Sequence, residues 1–325
     1  MTRYLVRRTL HAVLLLAGVS LLTFLFTALV PGNYFDEMKM NPQISPETVA
    51  ALRAKYGVDQ PLAFRYVHWV GGLLHGDLGF SFAYNTPVGP LLRVRAANTL
   101  LLTSVAMLLA WGVALPLGIW SAGRENGWPD HLITLATGAL LIVPDLVLAL
   151  GLLLVAVRSG WLPAGGMAAV GAEPTTWAAL GRDYALHLLL PVTALVLSCA
   201  PMLVRHVRAA MLDVLDSSFL RAARGHGIPP RRLLYGYALR AAANPLLALF
   251  GFSIGTLLSG SLIIEVVMSW PGLGPFLLEA ILGRDLYVVI GGVLLSTAFL
   301  VAGNLVADVL LYWADPRIRA ERGNG

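Results

Sequence analysis

Asp216–Pro230, with the sequence DSSFLRAARGHGIPP, is a short basic segment between two long apolar runs. The runs before and after it, Ala185–Val204 and Pro245–Met268, each have the roughly 20 residues that a helix needs to cross a bilayer. A turn between two spans needs only a few residues, yet this segment continues through alanines and glycines to Pro229 and Pro230. The pattern predicts a short helix at the membrane surface, of the kind that docks into a groove of another protein.

The composition is that of an integral membrane protein. Hydrophobic residues make up 57% of the chain and charged residues only 13%, and the mean hydropathy is +0.73, whereas roughly a quarter of the residues in soluble domains are charged. A soluble chain of this composition would expose large apolar patches. The single cysteine, Cys199, excludes an intrachain disulfide framework, and its apolar neighbours in the sequence favour a packed, unreactive thiol.

Six apolar stretches of spanning length predict an all-α polytopic membrane protein with six transmembrane helices. They are Thr9–Val30, Leu100–Trp120, Leu132–Val157, Ala185–Val204, Pro245–Met268 and Val288–Trp313. The first stretch is longer than the apolar region of a signal peptide, and no small-x-small cleavage site follows it. We therefore expect it to be a retained helix.

Basic residues predict the orientation of the spans. Arginines at positions 3, 7 and 8 precede the first span, and the loop between spans four and five carries seven arginines. The positive-inside rule then places both termini in the cytoplasm and leaves residues 31–98 outside. Within that external segment, Ser45-Pro46-Glu47-Thr48 is a typical helix start, and a second amphipathic helix is expected over about Leu62–Leu74.

This organisation divides the chain into four parts. They are a tail and first span (1–30), an external helical segment (31–98), a five-helix core with a cytoplasmic loop at 213–232 (99–320), and a short tail (321–325).

Polar and kinking residues inside the predicted spans mark candidate functional positions. Pro144 and Asp145 lie near the middle of the third span, where a carboxylate is costly. Asp145 must therefore line a wet path, bond to a neighbouring span or stay protonated, and the path is the favoured option. Glu265 and Asp308 lie near span ends, where interfacial anchoring explains them. Isolated histidines and acids on different spans do not make a metal site.

Several enzyme classes lack their motifs in this chain. There is no G-x-x-x-x-G-K-[ST] nucleotide loop, no H-E-x-x-H, and no G-x-S-x-G with a plausible histidine and acid. We therefore expect no catalytic residues, no ATP bound by this chain alone, and no nucleic-acid partner, since topology explains the basic loop.

Motifs along almost the whole chain carry a family resemblance. Gly227, within AARGHGI at 222–228, is similar to the glycine of the "EAA" loop, by which permeases of ABC importers dock their ATPases. The chain resembles the dipeptide, oligopeptide and nickel subgroup of these binding-protein-dependent inner-membrane components. The other matching motifs are RYLVRR at 3–8, GVS at 18–20, YGVDQPL at 56–62, GDLGFS at 76–81, SWPGLG at 269–274 and DPRIR at 315–319.

The resemblance implies a multi-pass permease in a bacterial inner membrane that forms half of an importer for peptides, or for nickel or a metal chelate. Its expected partners are membrane lipid, a second homologous permease, an external solute-binding protein, and two cytoplasmic ATPases that use ATP and Mg; this chain binds no cofactor. The implied ATPase-coupling residues are Asp216, Phe219, Ala222, Ala223, Arg224, Gly225, Gly227 and Ile228. The implied external gate or rim comprises Asp77, Gly79, Trp270, Pro271, Gly272 and Gly274.

Two departures from the family pattern are visible. Arg221 precedes the alanine pair, where the family's loop carries an acid, and Asp145 follows its proline where a small or hydroxylated residue is expected. Two alternatives remain open. One is a proton-coupled secondary transporter that uses Asp145 or Glu265, for which inverted repeats are expected and none is seen. The other is an intramembrane enzyme, which the missing motifs disfavour.

Overall fold

The computed structural model describes residues 2–29, 32, 34–39, 45–55, 57, 59–169, 171 and 176–314. Tyr56, Val58 and the motif at 315–319 lie outside these residues. The helices are α1 Thr2–Leu29, α2 Tyr34–Lys39, α3 Pro46–Lys55, α4 Leu62–Leu74, α5 Val88–Gly123, α6 Trp128–Ile142, α7 Asp145–Ser159, α8 Trp177–Leu215, α9 Ser218–Gly225, α10 Pro230–Arg232, the π-helix Leu233–Ala238, α11 Leu239–Ala241, α12 Ala243–Val267, α13 Leu273–Leu282 and α14 Leu286–Ala314.

The chain falls into two compact units. The N-terminal unit comprises Met1–Thr99 and Pro271–Val301, and the core unit comprises Leu100–Trp270 and Ala302–Gly325. Helices α5 and α14 pass from one unit to the other. The four-part division predicted from the sequence stays a prediction.

The N-terminal unit contains the helices expected in the external segment. The backbone N–H of Thr48 donates to Ser45 Oγ over 3.2 Å, so the predicted serine cap of α3 is confirmed. Helix α4 has the predicted bounds, and its Trp69 is buried in a small core with Phe24 of α1 and Ile290 of α14. Helix α4 thus packs on the first span.

A two-stranded antiparallel hairpin follows α4, and the sequence did not predict it. Strands β1 (Phe80–Ser81) and β2 (Thr86–Pro87) pair with Ser81 opposite Thr86. The hydroxyl of buried Ser81 donates to Asp285 Oδ2 over 2.6 Å, and the backbone N–H of Ala83 donates to the same oxygen over 3.2 Å. One buried carboxylate therefore fixes the hairpin to the start of α14.

Tyr84 adds a second contact between the hairpin and the same part of the unit. Its hydroxyl donates to Glu279 Oε2 on α13. Partial burial and this hydrogen bond raise the pKa of Tyr84 to about 12, so the phenol stays a proton donor throughout the physiological range.

Five helices among the described residues are long and apolar enough to cross a membrane, and the number becomes six if α6 and α7 form one span. The predicted third span, Leu132–Val157, corresponds to two helices, α6 and α7, which together can form one broken span. Helix α6 ends at Ile142 and α7 starts at Asp145, with a bend of 98° between them. Pro144 favours a break at this point, because it lacks a backbone N–H and disfavours helical backbone at Val143, which is extended.

The core unit is built around α8, a helix of 39 residues. Its buried side chains recur at helical spacing; Leu195, Leu203, Val207 and Met211 are each no more than 2% exposed. Pro191 and Pro201 lie within this continuous helix. The burial of one whole face makes α8 the element on which α5, α6, α7 and α12 of this unit assemble.

Helix α5 approaches α8 closely at Gly118. A Cβ atom at this position would lie 2.7 Å from Val207 Cβ and 2.9 Å from the carbonyl oxygen of Val204. Both distances are shorter than van der Waals contact, so the packing of these helices requires a glycine.

We predict that Gly118→Ala destabilises the core unit by about 1–3 kcal/mol, because the added methyl group forces two packed helices apart. The measurement is the midpoint of thermal unfolding of the purified chain in detergent. Gly112→Ala is the matched control on the same helix, since no atom lies within 4 Å of its added Cβ. Equal midpoints for the two variants would contradict the close approach.

Candidate functional site

Helix α9 lies in the segment that the sequence identified for docking. It ends where the backbone N–H of His226 donates to the carbonyl of Ala222 over 3.1 Å and that of Gly227 to Arg224 over 3.0 Å. Gly227 has φ +78°, and among the described residues no atom apart from those of its chain neighbours lies within 4 Å of an added Cβ. Gly227 thus lies two residues after the last residue of α9, in the left-handed conformation that favours glycine, so backbone conformation explains this glycine.

The two faces of α9 differ in burial. Leu220 is 1% exposed and belongs to the hydrophobic core of the core unit, against which Ala223 and Ile228 also pack. Phe219 is 49% exposed. The other exposed coupling residues are Asp216, Ala222, Arg224, Gly225 and Gly227. The helix is therefore anchored by one leucine and presents a phenyl ring, small residues and arginine outward.

A second candidate region lies at the break between α6 and α7. Pro144 is exposed, and Asp145 is the half-buried first residue of α7. The hydroxyl of Ser198, on α8, donates to Asp145 Oδ1. Asp145 also lines a cavity of about 180 Å³ together with Ser198, Cys199 and Thr256. The cavity and the hydrogen bond to a neighbouring helix, which the sequence left as alternatives, occur together.

The carboxyl groups of the alternative hypotheses lie elsewhere. Glu265 is fully buried near the end of α12, where its backbone carbonyl accepts from the N–H of Trp270 over 2.9 Å. Among the described residues that line the Asp145 cavity, neither Glu265 nor Asp308 occurs.

The predicted rim residues of the N-terminal unit are held by local hydrogen bonds. Asp77 is exposed, and its Oδ1 accepts from the N–H of Gly79 over 2.8 Å. Gly79 has φ +98°, and its added Cβ would lie 2.9 Å from Tyr287 Cγ. The carbonyl of Pro271 accepts from Asn98 Nδ2 over 2.8 Å.

The remaining rim residues are buried. Gly272 and Gly274 flank the start of α13 in the N-terminal unit, and Trp270, at the end of the core unit, is 1% exposed. The side chain of Trp270 therefore packs within the protein. A gate or rim role for the whole set stays a prediction.

An ion pair that the sequence pattern did not indicate joins three helices of the core unit. Arg208 of α8 donates from Nε to Asp130 Oδ1 over 2.6 Å and from a terminal nitrogen to Asp130 Oδ2 over 2.8 Å. Asp130 lies in the first turn of α6 and is 4% exposed. It also accepts from Ser121 Oγ of α5 and from the N–H of Asn126. The acid after Pro129 at a helix start was the available sequence signal.

Comparison with known proteins identifies the family. Residues 114–320 match the family described as "Binding-protein-dependent transport system inner membrane component", and residues 1–103 match the model of its N-terminal part. The chain belongs to this family, whose members are bacterial inner-membrane components of transport systems. It is a multi-pass membrane protein and a transport component.

Curated relatives match over nearly their whole length. The "Oligopeptide transport system permease protein AppB" of Bacillus subtilis (strain 168) is 36% identical, with 98% of this chain and 99% of the relative covered. The "Dipeptide transport system permease protein DppB" of Escherichia coli (strain K12) is 33% identical, with 99% and 100% covered. The "Glutathione transport system permease protein GsiC" of Escherichia coli O6:H1 is 33% identical, with 98% and 99% covered.

A solved structure shares the fold. The MetNI methionine ABC transporter in an inward-facing conformation aligns with a TM-score of 0.57 at 17% identity, covering 69% of this chain and 96% of the other. The similarity places the helical architecture of this chain among ABC transporter membrane subunits.

We predict that Arg208→Lys destabilises the core unit by about 1–3 kcal/mol, because lysine keeps the charge but cannot supply two parallel N–H donors to buried Asp130. Thermal unfolding in detergent measures the effect. Arg205→Lys is the control, since Arg205 is exposed on the same helix. Unchanged stability of the Arg208 variant would show that the bidentate pair contributes little.

Proposed function

We propose that this chain is a permease subunit of an ATP-driven ABC importer and forms half of the translocation path for peptides. The observation that carries the proposal is α9. This helix is anchored through Leu220 and exposes Phe219, and it lies within the part of the chain that matches the family. An apolar ring on an arginine-bearing surface is a typical anchor for a helix-in-groove interface.

The partners follow from this role. Two cytoplasmic ATPase subunits bind ATP and Mg and dock on α9 and its counterpart in a second, homologous permease. An external solute-binding protein delivers the cargo. The name of the family, which refers to binding proteins, supports this assignment. ATP hydrolysis belongs to the separate subunits.

Helix α8 connects docking to the path. It runs without interruption from Trp177 to Leu215, and α9 begins at Ser218. Ser198, which bonds Asp145, lies 17 residues before the end of α8, or about 26 Å at the rise of an α-helix. A displacement of α9 by the ATPases therefore moves a rigid helix that reaches the Asp145 cavity.

Peptides are the favoured cargo class. The named relatives transport oligopeptides, dipeptides or glutathione, and the part of the chain that the structure describes contains no cluster of three metal-ligating side chains. A proton-coupled secondary transporter is disfavoured because the chain belongs to the binding-protein-dependent family.

The test of the proposal is Phe219→Ala in the complex reconstituted with its ATPase subunits. We expect the affinity for the ATPases to fall about ten-fold or more, with loss of ATP-driven peptide uptake. Because Phe219 is half exposed, the fold of the permease should be unaffected. The measurements are co-purification of the ATPases and vanadate-sensitive uptake in proteoliposomes.

Tyr235→Ala is the matched control, because Tyr235 is an aromatic residue of similar exposure, 54%, outside α9. We expect this variant to assemble and transport normally. If Phe219→Ala binds its ATPases and transports peptides as well as this control does, α9 is not the coupling element.

The proposed orientation is tested by thiol labelling in a Cys199→Ser background. Leu74 is 82% exposed at the end of α4, and Gly225 is exposed at the end of α9. In right-side-out vesicles an impermeant maleimide should modify Leu74→Cys and should modify Gly225→Cys only after the membrane is opened. Modification of Gly225→Cys in sealed vesicles would overturn the cytoplasmic position of α9.

A further inference from the structure

We propose that the Asp145 cavity is a binding site for an ammonium group, and that it holds the amino end of a peptide during translocation. This inference rests on the proposed function. The site is formed by three helices of the core unit, since Asp145 begins α7, Ser198 and Cys199 lie on α8, and Thr256 lies on α12.

Asp145 gives the cavity a negative charge. Asp145 is the only charged residue among those that line the cavity, and the others are apolar or carry a hydroxyl or thiol group. Its hydrogen-bond donor in the described structure is the neutral hydroxyl of Ser198. A carboxylate in the apolar interior of a membrane protein is stabilised by a cation. No lysine or arginine of the described chain lines the cavity to supply one.

Several hydrogen-bond acceptors lie close together in the cavity. Ser198 donates to Oδ1 of Asp145. Gly260 lies near Oδ2 without blocking it, because even a Cβ atom added at Gly260 would be 3.9 Å from this oxygen. Thr256 lines the same cavity, and its hydroxyl donates to the carbonyl of Ser253 over 3.0 Å and keeps its acceptor lone pairs. An ammonium group has three N–H donors, and a carboxylate oxygen with nearby hydroxyls can accept them.

The cavity is small compared with a peptide. The cavity measures about 180 Å³, which corresponds to roughly six water molecules at about 30 Å³ each. That space holds an ammonium group and the first atoms of a peptide, but it does not hold a whole peptide. The site therefore recognises one end of the cargo and leaves its side chains outside.

The cavity adjoins a second depression along α8. Leu141 and Met202 line this cavity and also an adjoining open depression of about 270 Å³, which Arg205 and His206 line as well. Ser198, Met202 and His206 recur every fourth residue, so they share one face of α8. This face runs from Asp145 toward α9. The positive charge of Arg205 disfavours a cation in the adjoining depression, so the favourable position for a cation is beside Asp145.

A metal ion is a weaker match than an ammonium group. The described residues contain no group of three histidine, cysteine or acidic side chains that could hold a metal, and a protein site for a transition metal requires several such ligands. An ammonium group needs only hydrogen-bond acceptors and one negative charge.

Cys199 offers a direct test, because it is the only cysteine of the chain and lines the same cavity. The assembled importer is treated with a cationic and, separately, an anionic methanethiosulfonate reagent. The modification rate of Cys199 is measured by mass spectrometry of this chain. Both reagents attack the same thiolate, so the ratio of the two rates cancels any change in thiol ionisation and reports the local electrostatic potential.

We expect the cationic reagent to be favoured in the native chain and Asp145→Asn to lower the cation-to-anion rate ratio by about ten-fold or more. Glu125→Gln is the matched control, because it also removes one carboxylate charge but is exposed and does not line the cavity. An unchanged ratio in Asp145→Asn, or no reaction of Cys199 with either reagent, would overturn the proposal.

Protection identifies the ligand. A peptide with a free amino terminus should slow modification of Cys199 in the native complex at least three-fold, and the same peptide with an acetylated terminus should not. Protection by Ni²⁺ alone, or equal protection by both peptides, would overturn the assignment to an ammonium group.

ATPase assembly and vanadate-sensitive ATP hydrolysis are measured on the same samples. Normal assembly and hydrolysis with an unchanged reagent ratio would refute the ammonium site alone, whereas failure of the native chain to assemble with ATPases would refute the proposed function.

Discussion

Backbone N–H and C=O groups inside a bilayer must find hydrogen-bond partners within the protein, and this constraint governs the whole chain. It explains why the apolar stretches are helices and why the one break between α6 and α7 is informative. There the N–H of Val143 still donates to Leu140, and the N–H of Leu148 donates to Pro144. Two backbone hydrogen bonds thus form locally at the break, and the carboxylate of Asp145 bonds across to Ser198.

Helix α8 connects this break with α9. The same helix supplies the buried face of the core unit, the Ser198 donor beside Asp145, and the Arg208 partner of Asp130. It is followed within three residues by α9, whose Leu220 returns to the same core. Helix α9 and the Asp145 cavity are therefore connected through one helix, which fits the proposed transmission of movement from ATPase subunits to a path.

The N-terminal unit is held together by different contacts. Its helices α1 and α4 pack through Phe24 and Trp69, and its hairpin is held by the buried carboxylate of Asp285. The exposed Asp77 and the turn at Gly79 lie beside this hairpin. Hydrogen bonds to backbone groups rather than a large apolar core define this surface, which suits a region that we expect to face a soluble partner.

The sequence by itself determined the helical class, the serine cap of α3, the bounds of α4 and the glycine that follows α9. These features depend on local chemistry, namely apolar length, a serine cap, amphipathic spacing and a glycine at positive φ. Only the tertiary structure decided that the third span is broken, that Ser81 bonds Asp285, and that Arg208 clamps Asp130. The hydrogen bonds of Ser81 and Arg208 join residues far apart in the chain. The 98° bend at Pro144 depends on the packing of α6 and α7 against α8, because a proline in a spanning helix is compatible with a continuous helix, as Pro116 in α5 and Pro191 in α8 show.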